Sequence, residues 1–464
     1  MSTLEPELGP DPSFVAPEEP AETPLSRIAA KVASGTRSRA KVRFGGRIAM
    51  LAPAFYRVGG LSRHVQLGDR IVQETASGPK IAEIVRVDAD GATAKPYEDM
   101  IDARIGTPVW RIDPLTLWPH PDWKGRVIDA LGEPVDGRGP LPVGDRATYP
   151  DAPPPSAMKR ARTGGHMKSG IRVIDIFTPL CAGQRIGIFA GSGVGKSTLL
   201  AMLANAGQFD TVVICLVGER GREVREFLEE TLGDQRARAV MVVSTSDESP
   251  MMRRLAPRTA MAVGEYFRDQ GQAVLMIVDS VTRYAHAARD VALAAGEPAV
   301  SRGFPPSVFG DLPKLLERAG PGLEGGGSIT GIFSVLVDGD DHNDPIADNV
   351  RGILDGHIVL DRSIADRGRY PAVNPLTSIS RLARHCWSPE EVVLVRKLLS
   401  LIARFEETRD LRLMGGYQAG NDPDLDLAVR LVPGIYDTIR QDLKSPRSAD
   451  AFRDLSQVLK SLSS

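Results

Sequence analysis

The spacing of apolar positions changes along the chain, and each change predicts a different kind of element. Between about Val42 and Val109 the apolar residues come in short runs closed by turn pairs. Val65 and Leu67 alternate with His64 and Gln66 ahead of Gly68-Asp69, and Ile81–Val87 stops at Asp90-Gly91. Such runs read as short strands, and regular turns between them predict a small β-barrel. From about Gln184 to Arg381, apolar blocks alternate with helical spacing. Arg185–Phe189, Thr211–Val217, Ala239–Ser244, Ala273–Val278 and Ile329–Val337 read as strands buried on both faces. That alternation predicts a parallel sheet covered by helices. Residues 111–180 are rich in Pro and Gly, including Pro153-Pro154-Pro155, and read as an irregular lead-in.

After Ser388 the spacing is helical. Ser388 suits an N-cap, Pro389 the first helical position, and Glu391 completes a capping box. Leu394, Leu398, Ile402 and Phe405 then line one face. A second helix starts at Asp422-Pro423 with Ala428, Leu431 and Val432 inward, and a third carries Phe452, Leu455 and Leu459. At the other end, residues 1–24 are rich in Pro and acidic residues and lack the apolar surface to offset ordering. They are expected to be disordered. Leu25, Ile28, Ala29 and Val32 follow at helical spacing, as a docking helix for a partner or a helix packed on its own barrel. The expected domains are a tail at 1–24, a short helix and barrel at 25–112, an α/β core at 113–383 and a helical domain at 384–464.

Length agrees with this division, because 464 residues exceed one core. The 57 basic and 59 acidic residues leave a net charge of −2, which argues against a general polyanion binder. Cys181, Cys215 and Cys386 are too sparse for a disulfide framework or metal motif and read as buried free thiols of a reducing compartment. No apolar run approaches a bilayer span and no secretory pattern opens the chain, so a cytosolic protein is expected.

The strongest local signal is Ala190-Gly191-Ser192-Gly193-Val194-Gly195-Lys196-Ser197-Thr198. It follows the apolar run Ile186–Phe189 and opens the helical stretch Thr198–Ala206. Strand, glycine loop and helix in that order make a phosphate-binding loop. Glycines let backbone N–H groups turn toward phosphate oxygens, and the helix N-terminus favours negative charge. Lys196 would reach the β- and γ-phosphates, and Ser197 would offer its hydroxyl to Mg²⁺. Ala190 takes a place that is usually Gly. Asp279 ends the apolar run Val274–Val278, where a carboxylate can hold Mg²⁺ through water. Glu219, in Val217-Gly218-Glu219-Arg220-Gly221-Arg222, follows the Thr211–Leu216 strand. On its own, a glutamate flanked by arginines is usually a solvated ion-pair partner.

A second strong signal is Arg369-Tyr370-Pro371-Ala372-Val373-Asn374-Pro375-Leu376-Thr377-Ser378-Ile379-Ser380-Arg381. Together with the glycine loop, the Gly-Glu-Arg segment and Asp279-Ser280-Val281-Thr282-Arg283, it resembles the rotary ATPases and the type III export ATPases from about Val42 to the end. The resemblance implies an α/β RecA-like P-loop core with an N-terminal small β-barrel and a C-terminal α-helical domain. It implies a Mg²⁺-dependent ATPase. Glu219 matches the glutamate that polarises water, and Asp279 the Walker B aspartate. Arg381 matches the finger reaching a neighbouring subunit's site, and Tyr370 the aromatic on adenine. Arg220 and Arg283 would support Glu219 and the phosphates. Tyr417 either closes the adenine pocket or is an ordinary core or surface tyrosine.

Within the group, Arg302-Gly303-Phe304-Pro305-Pro306-Ser307-Val308-Phe309 and Gly415-Gly416-Tyr417 resemble the export ATPases. The acidic Asp-Glu-Leu-Ser-type stretch of the catalytic rotary subunit is missing, and no aromatic-and-basic platform suggests a Rho-like motor. The flagellar export ATPases are the expected branch, with the virulence secretion ATPases as the alternative. The resemblance implies a homohexamer, a stator-like regulator at the N-terminus, a stalk-like export protein, an export gate and chaperone–substrate complexes as partners. It also implies a cytoplasmic location, peripheral to the inner membrane through those partners.

Overall fold

The computed structural model describes residues 43–99, 101–337 and 344–463. The expected tail at 1–24 and helix over Leu25–Val32 lie outside the described residues.

Six antiparallel strands form a closed barrel: β1 (Gly45–Ala52), β2 (Phe55–Gly59), β3 (Arg70–Thr75), β4 (Gly78–Asp88), β5 (Gly91–Pro96) and β6 (Pro108–Ile112). They are arranged β1-β2-β5-β4-β3-β6, and β6 closes on β1 with Trp110 opposite Gly45. Alternate residues such as Ile48, Val58, Ile71, Ile84 and Val109 fill the interior. One expected strand is corrected. Val65 and Leu67 lie in a turn, not a strand, and Leu67 is exposed. The Asp69 carboxylate accepts from the Gln66 N–H at 2.9 Å and closes that turn. So brief an alternation does not outweigh a local side-chain bond to backbone.

The Pro/Gly-rich stretch is not wholly irregular. Its strand β7 (Val127–Ile128) pairs with the edge of the central sheet, and β8 (His166–Met167) pairs with β9 (Leu180–Cys181). The sheet proper contains β10 (Arg185–Ala190), β11 (Thr211–Glu219), β12 (Ala239–Thr245), β13 (Ala273–Asp279), β14 (Gly320–Pro321), β15 (Ser328–Leu336), β16 (Gly356–Leu360) and β17 (Ile379–Ser380). Its order is β17-β16-β10-β15-β13-β11-β12-β7, with β14 beside β15. The long strands are parallel, while β14 and β17 run antiparallel.

Strand periodicity divides the core in two. Along β11, Val212, Ile214 and Leu216 face one layer, and Val213, Cys215 and Val217 face the other. The second layer is covered by helices Pro250–Arg268, Val281–Ala294, Pro306–Leu316 and Pro345–Ile353. The first layer is covered by helix Lys196–Ala204 and by the C-terminal helices Pro389–Glu407, Pro423–Ile439 and Ala451–Ser463. The capping box at Ser388 forms as the sequence predicts, with Ser388 and Glu391 bonded reciprocally. Asp422 caps the next helix through the Asp424 and Leu425 N–H groups. No helix among the described residues is long and apolar enough to cross a membrane.

Candidate active site

Parallel strands bring their C-terminal ends to one edge of the sheet, and the expected phosphate-binding residues collect there. Strand β10 runs into the glycine loop. Gly193 and Gly195 take left-handed backbone conformations, with φ of 78° and 90°. Gly191 and Val194 are buried, so the loop is anchored, while Ser192 and Gly193 are exposed. Gly195 caps helix Lys196–Ala204, and Ser197 and Thr198 occupy its exposed first turn. Backbone N–H groups of that turn are the free donors of a helix start.

Asp279 arrives from β13 with its side chain almost fully buried. Lys196 Nζ donates to Asp279 Oδ1, and Ser334 Oγ on β15 donates to the same oxygen at 2.6 Å. The four residues after Asp279 each have a structural reason. Ser280 caps helix Val281–Ala294 and Val281 enters the core. Thr282 Oγ1 accepts from the Leu336 N–H at 2.9 Å, which ties the helix to the end of β15. Arg283 turns back to Glu219, Nη2 to Oε2 at 3.4 Å.

Glu219 is aimed by a break in the ladder. The β11–β12 register shifts between Val217 and Glu219, and Gly218 has φ of 67°. A Cβ there would stand 3.0 Å from Arg283 Cδ, so a glycine is needed twice over. The Glu219 carboxyl is pushed up to about 7. Burial is the main cause, followed by its hydrogen bond to Glu223 and the charge of Asp279, against the opposing pull of Lys196 and Arg283. Ser197, Leu216, Glu219, Glu223, Phe227 and Asp279 border one cavity of about 220 Å³.

Neither Arg220 nor Tyr417 borders that cavity. Arg220 points outward, largely exposed, and lies 3.9 Å from Glu223. Of the two supporting arginines only Arg283 is paired with Glu219, because Arg220 lies past the bulge as the N-cap of the next helix. Tyr417 donates its hydroxyl to Asp426 at 2.7 Å within the helical domain.

The Tyr370–Arg381 segment folds back over β16. Asn374 N–H donates to the Val359 carbonyl, Val359 N–H to Ser378 Oγ, and Gln184 Nε2 to Ser380 Oγ, each at 2.9–3.0 Å. Tyr370 and Arg381 remain outside at opposite ends. Tyr370 lies against the glycine loop: a Cβ on Gly195 would meet its ring at 3.3 Å. Arg381 is exposed, and its backbone N–H donates to the Asp355 carbonyl at the start of β16. Leu360, at the far end of β16, is paired with Ala190 beside the glycine loop. Asp355 to Leu360 is about 16 Å at roughly 3.3 Å per residue. Arg381 therefore stands at the opposite end of the sheet from its own glycine loop.

Three residues escaped the sequence reading. Glu223 shares the cavity and a hydrogen bond with Glu219. Ser334 holds Asp279, and its signal was a polar residue within a buried strand. Arg362 Nη2 donates to the Ser192 carbonyl at 3.0 Å and ties the glycine loop to β16; no sequence signal singles it out.

Residues 170–380 match the nucleotide-binding domain of the ATP synthase alpha/beta family, and residues 387–457 the EscN ATPase C-terminal domain of type III secretion systems. The "Flagellum-specific ATP synthase" of Agrobacterium fabrum is 57% identical over 421 residues, covering 90% of this chain and 89% of that protein. That of Rhizobium meliloti is 57% identical over 418 residues, with the same coverage of both. The chain belongs to the flagellum-specific ATP synthase family. It is an ATPase. Its fold is that of the assembled ATPase EscN from the enteropathogenic E. coli type III secretion system, with TM-score 0.83 and 39% identity over 90% of this chain and all of that one. A second structure of EscN, in complex with its central stalk EscO, matches with TM-score 0.80 and 38% identity over the same shares.

Proposed function

We propose that this chain hydrolyses ATP at composite sites between the subunits of a homohexamer, and that turnover energises export of flagellar proteins. Each site takes Lys196, Ser197, Glu219 and Asp279 from one subunit and Arg381 from the next. The observation that carries the reading is the placement of Arg381, exposed and about a strand length from its own glycine loop. A cation there cannot serve its own site, but a head-to-tail ring brings it to a neighbour's.

In this reading Gly191–Gly195 and the helix start cradle the phosphates, with Thr198 in the same turn. Lys196 leaves Asp279 and contacts the β- and γ-phosphates. Tyr370 stacks on adenine beside Gly195, and Tyr417 is a further candidate for closing that pocket. Glu219 accepts the proton of the attacking water, and Arg283 orients it. Arg381 of the adjoining subunit meets the charge that spreads over the transferring phosphoryl group.

Magnesium fits the donors present. Ser197 and Asp279 are hard oxygen donors on one cavity. Among the described residues both hydrogen bonds to Asp279 fall on Oδ1, which leaves Oδ2 for a water of a hydrated cation. When bound, Mg²⁺ neutralises charge on the phosphates.

The flagellar branch is favoured over virulence secretion by 57% against 42% identity at equal coverage of this chain. The proposed partners are a stalk-like export protein, the export gate, chaperone–substrate complexes and a stator-like regulator on residues 25–33. Through them the cytoplasmic protein is held at the inner membrane. The test is ATPase rate against protein concentration for the wild type and Arg381→Ala. The wild type should gain specific activity as it assembles. The variant should bind nucleotide yet stay about 10³–10⁵-fold slower. Wild-type turnover by Arg381→Ala in assembled form would refute the composite site.

A further inference from the structure

Cys181 and Cys386 are 205 positions apart in sequence, yet their sulfurs are 2.8 Å apart. That is within an ångström of a disulfide bond of about 2.05 Å. Each sulfur also faces the other's segment. Cys181 Sγ lies 3.8 Å from the Leu382 carbonyl, and Cys386 Sγ lies 3.5 Å from the Leu180 carbonyl. Both segments bear on the site. Cys181 ends β9, which leads directly into the glycine-loop strand β10. Cys386 closes the short 3₁₀ turn Ala383–His385 that follows Arg381. Gln184 joins the two, accepting from the Cys181 N–H and donating to Ser380 Oγ, both at 2.9 Å.

We propose that Cys181 and Cys386 are a redox modification site, where a peroxide oxidant converts the two thiols to a disulfide that fastens the Arg381 turn to β9. The pair is poised for it. The two sulfurs are within hydrogen-bond distance, and either thiol can donate to the other. Cys386 is only half-buried and gives peroxide its approach. The Cys386 sulfur, as thiolate, attacks a peroxide oxygen, the O–O bond breaks, and the leaving hydroxide takes a proton to become water. The Cys181 sulfur then attacks the Cys386 sulfenic acid, the S–O bond breaks, and a second water leaves. Two thiols and one hydrogen peroxide give one disulfide and two waters. The sulfurs together lose the two electrons that the peroxide gains. Cys215 is an internal control, because it is buried within β11, in the other layer of the core from the pair.

The chemical claim is independent of the composite-site reading, while its effect on turnover rests on that reading. The test treats the native full-length protein with hydrogen peroxide, blocks remaining thiols, and maps cysteines by mass spectrometry. A Cys181–Cys386 linked peptide should appear, disappear with dithiothreitol, and leave Cys215 reduced. Cys215→Ser should keep the link, and Cys386→Ser and Cys181→Ser should each lose it. Oxidation of Cys386 to sulfinic acid or a mixed disulfide without the link would overturn the site. Under assembly, peroxide should lower ATPase several-fold, reversibly in the wild type and not in Cys386→Ser. A quantitative link with unchanged turnover would overturn the claim that the fastened turn matters to Arg381.

Discussion

The two ends of the central sheet are built to opposite standards. At the end with the glycine loop, charged groups are buried and mutually held: Lys196 on Asp279, Ser334 on Asp279, Arg283 on Glu219. At the other end Arg381 is exposed, and among the described residues its guanidinium makes a long bond to the Arg351 carbonyl at 3.5 Å. A preorganised end gains from rigidity, because its groups stabilise charge without rearranging. A loosely held arginine gains from staying free until a partner surface arrives. The contrast is what a site completed by assembly requires.

Substitutions at the two ends should therefore differ in kind. The largest effect is expected for Arg381→Ala, a loss of about 10³–10⁵ in turnover with nucleotide affinity of the isolated subunit nearly unchanged. Steady-state rates and fluorescent-nucleotide binding check both halves. Next, Glu219→Gln should cost about 10²–10⁴ in turnover and leave assembly intact, read by kinetics alongside light scattering. If it weakened assembly instead, the buried end would not be separable from the interface.

Gly218→Ala should do less to chemistry and more to the fold. Its positive φ and the nearby Arg283 side chain predict a loss of about 1–3 kcal/mol, measurable by urea unfolding. The smallest effect is a displacement in pH. A base must be deprotonated, and the Glu219 carboxyl is pushed up to about 7. So kcat/KM should fall as pH drops through about 7. Glu223→Gln replaces the carboxyl whose hydrogen bond helps raise Glu219 and should move that limb to lower pH. An acid limb unmoved in Glu223→Gln would separate the two glutamates.

Much of this was legible in the sequence because it is local. The glycine loop, the Ser388 capping box and the Asp422 cap are contiguous motifs whose residues bond within a turn. Alternating blocks gave β10, β11, β12, β13 and β15. Strand β16 lacks such a signal, being short and opening with glycine, although it carries the whole Tyr370–Arg381 segment. Three long-range features were also out of reach. Choosing Arg283 over Arg220 depends on the bulge at Gly218. Arg362 acts across 170 positions. The Cys181–Cys386 pair is created by packing, and spacing in the chain hides it.

The most direct test of a cation supplied by a neighbour is a mixing experiment. Lys196→Ala and Arg381→Ala proteins should each be inactive alone. Mixed in equal amounts and assembled, they should regain activity, because about one site in four then combines an intact Lys196 with an intact Arg381 from the next subunit. A mixture that assembles fully and stays as inactive as its components would contradict the composite site.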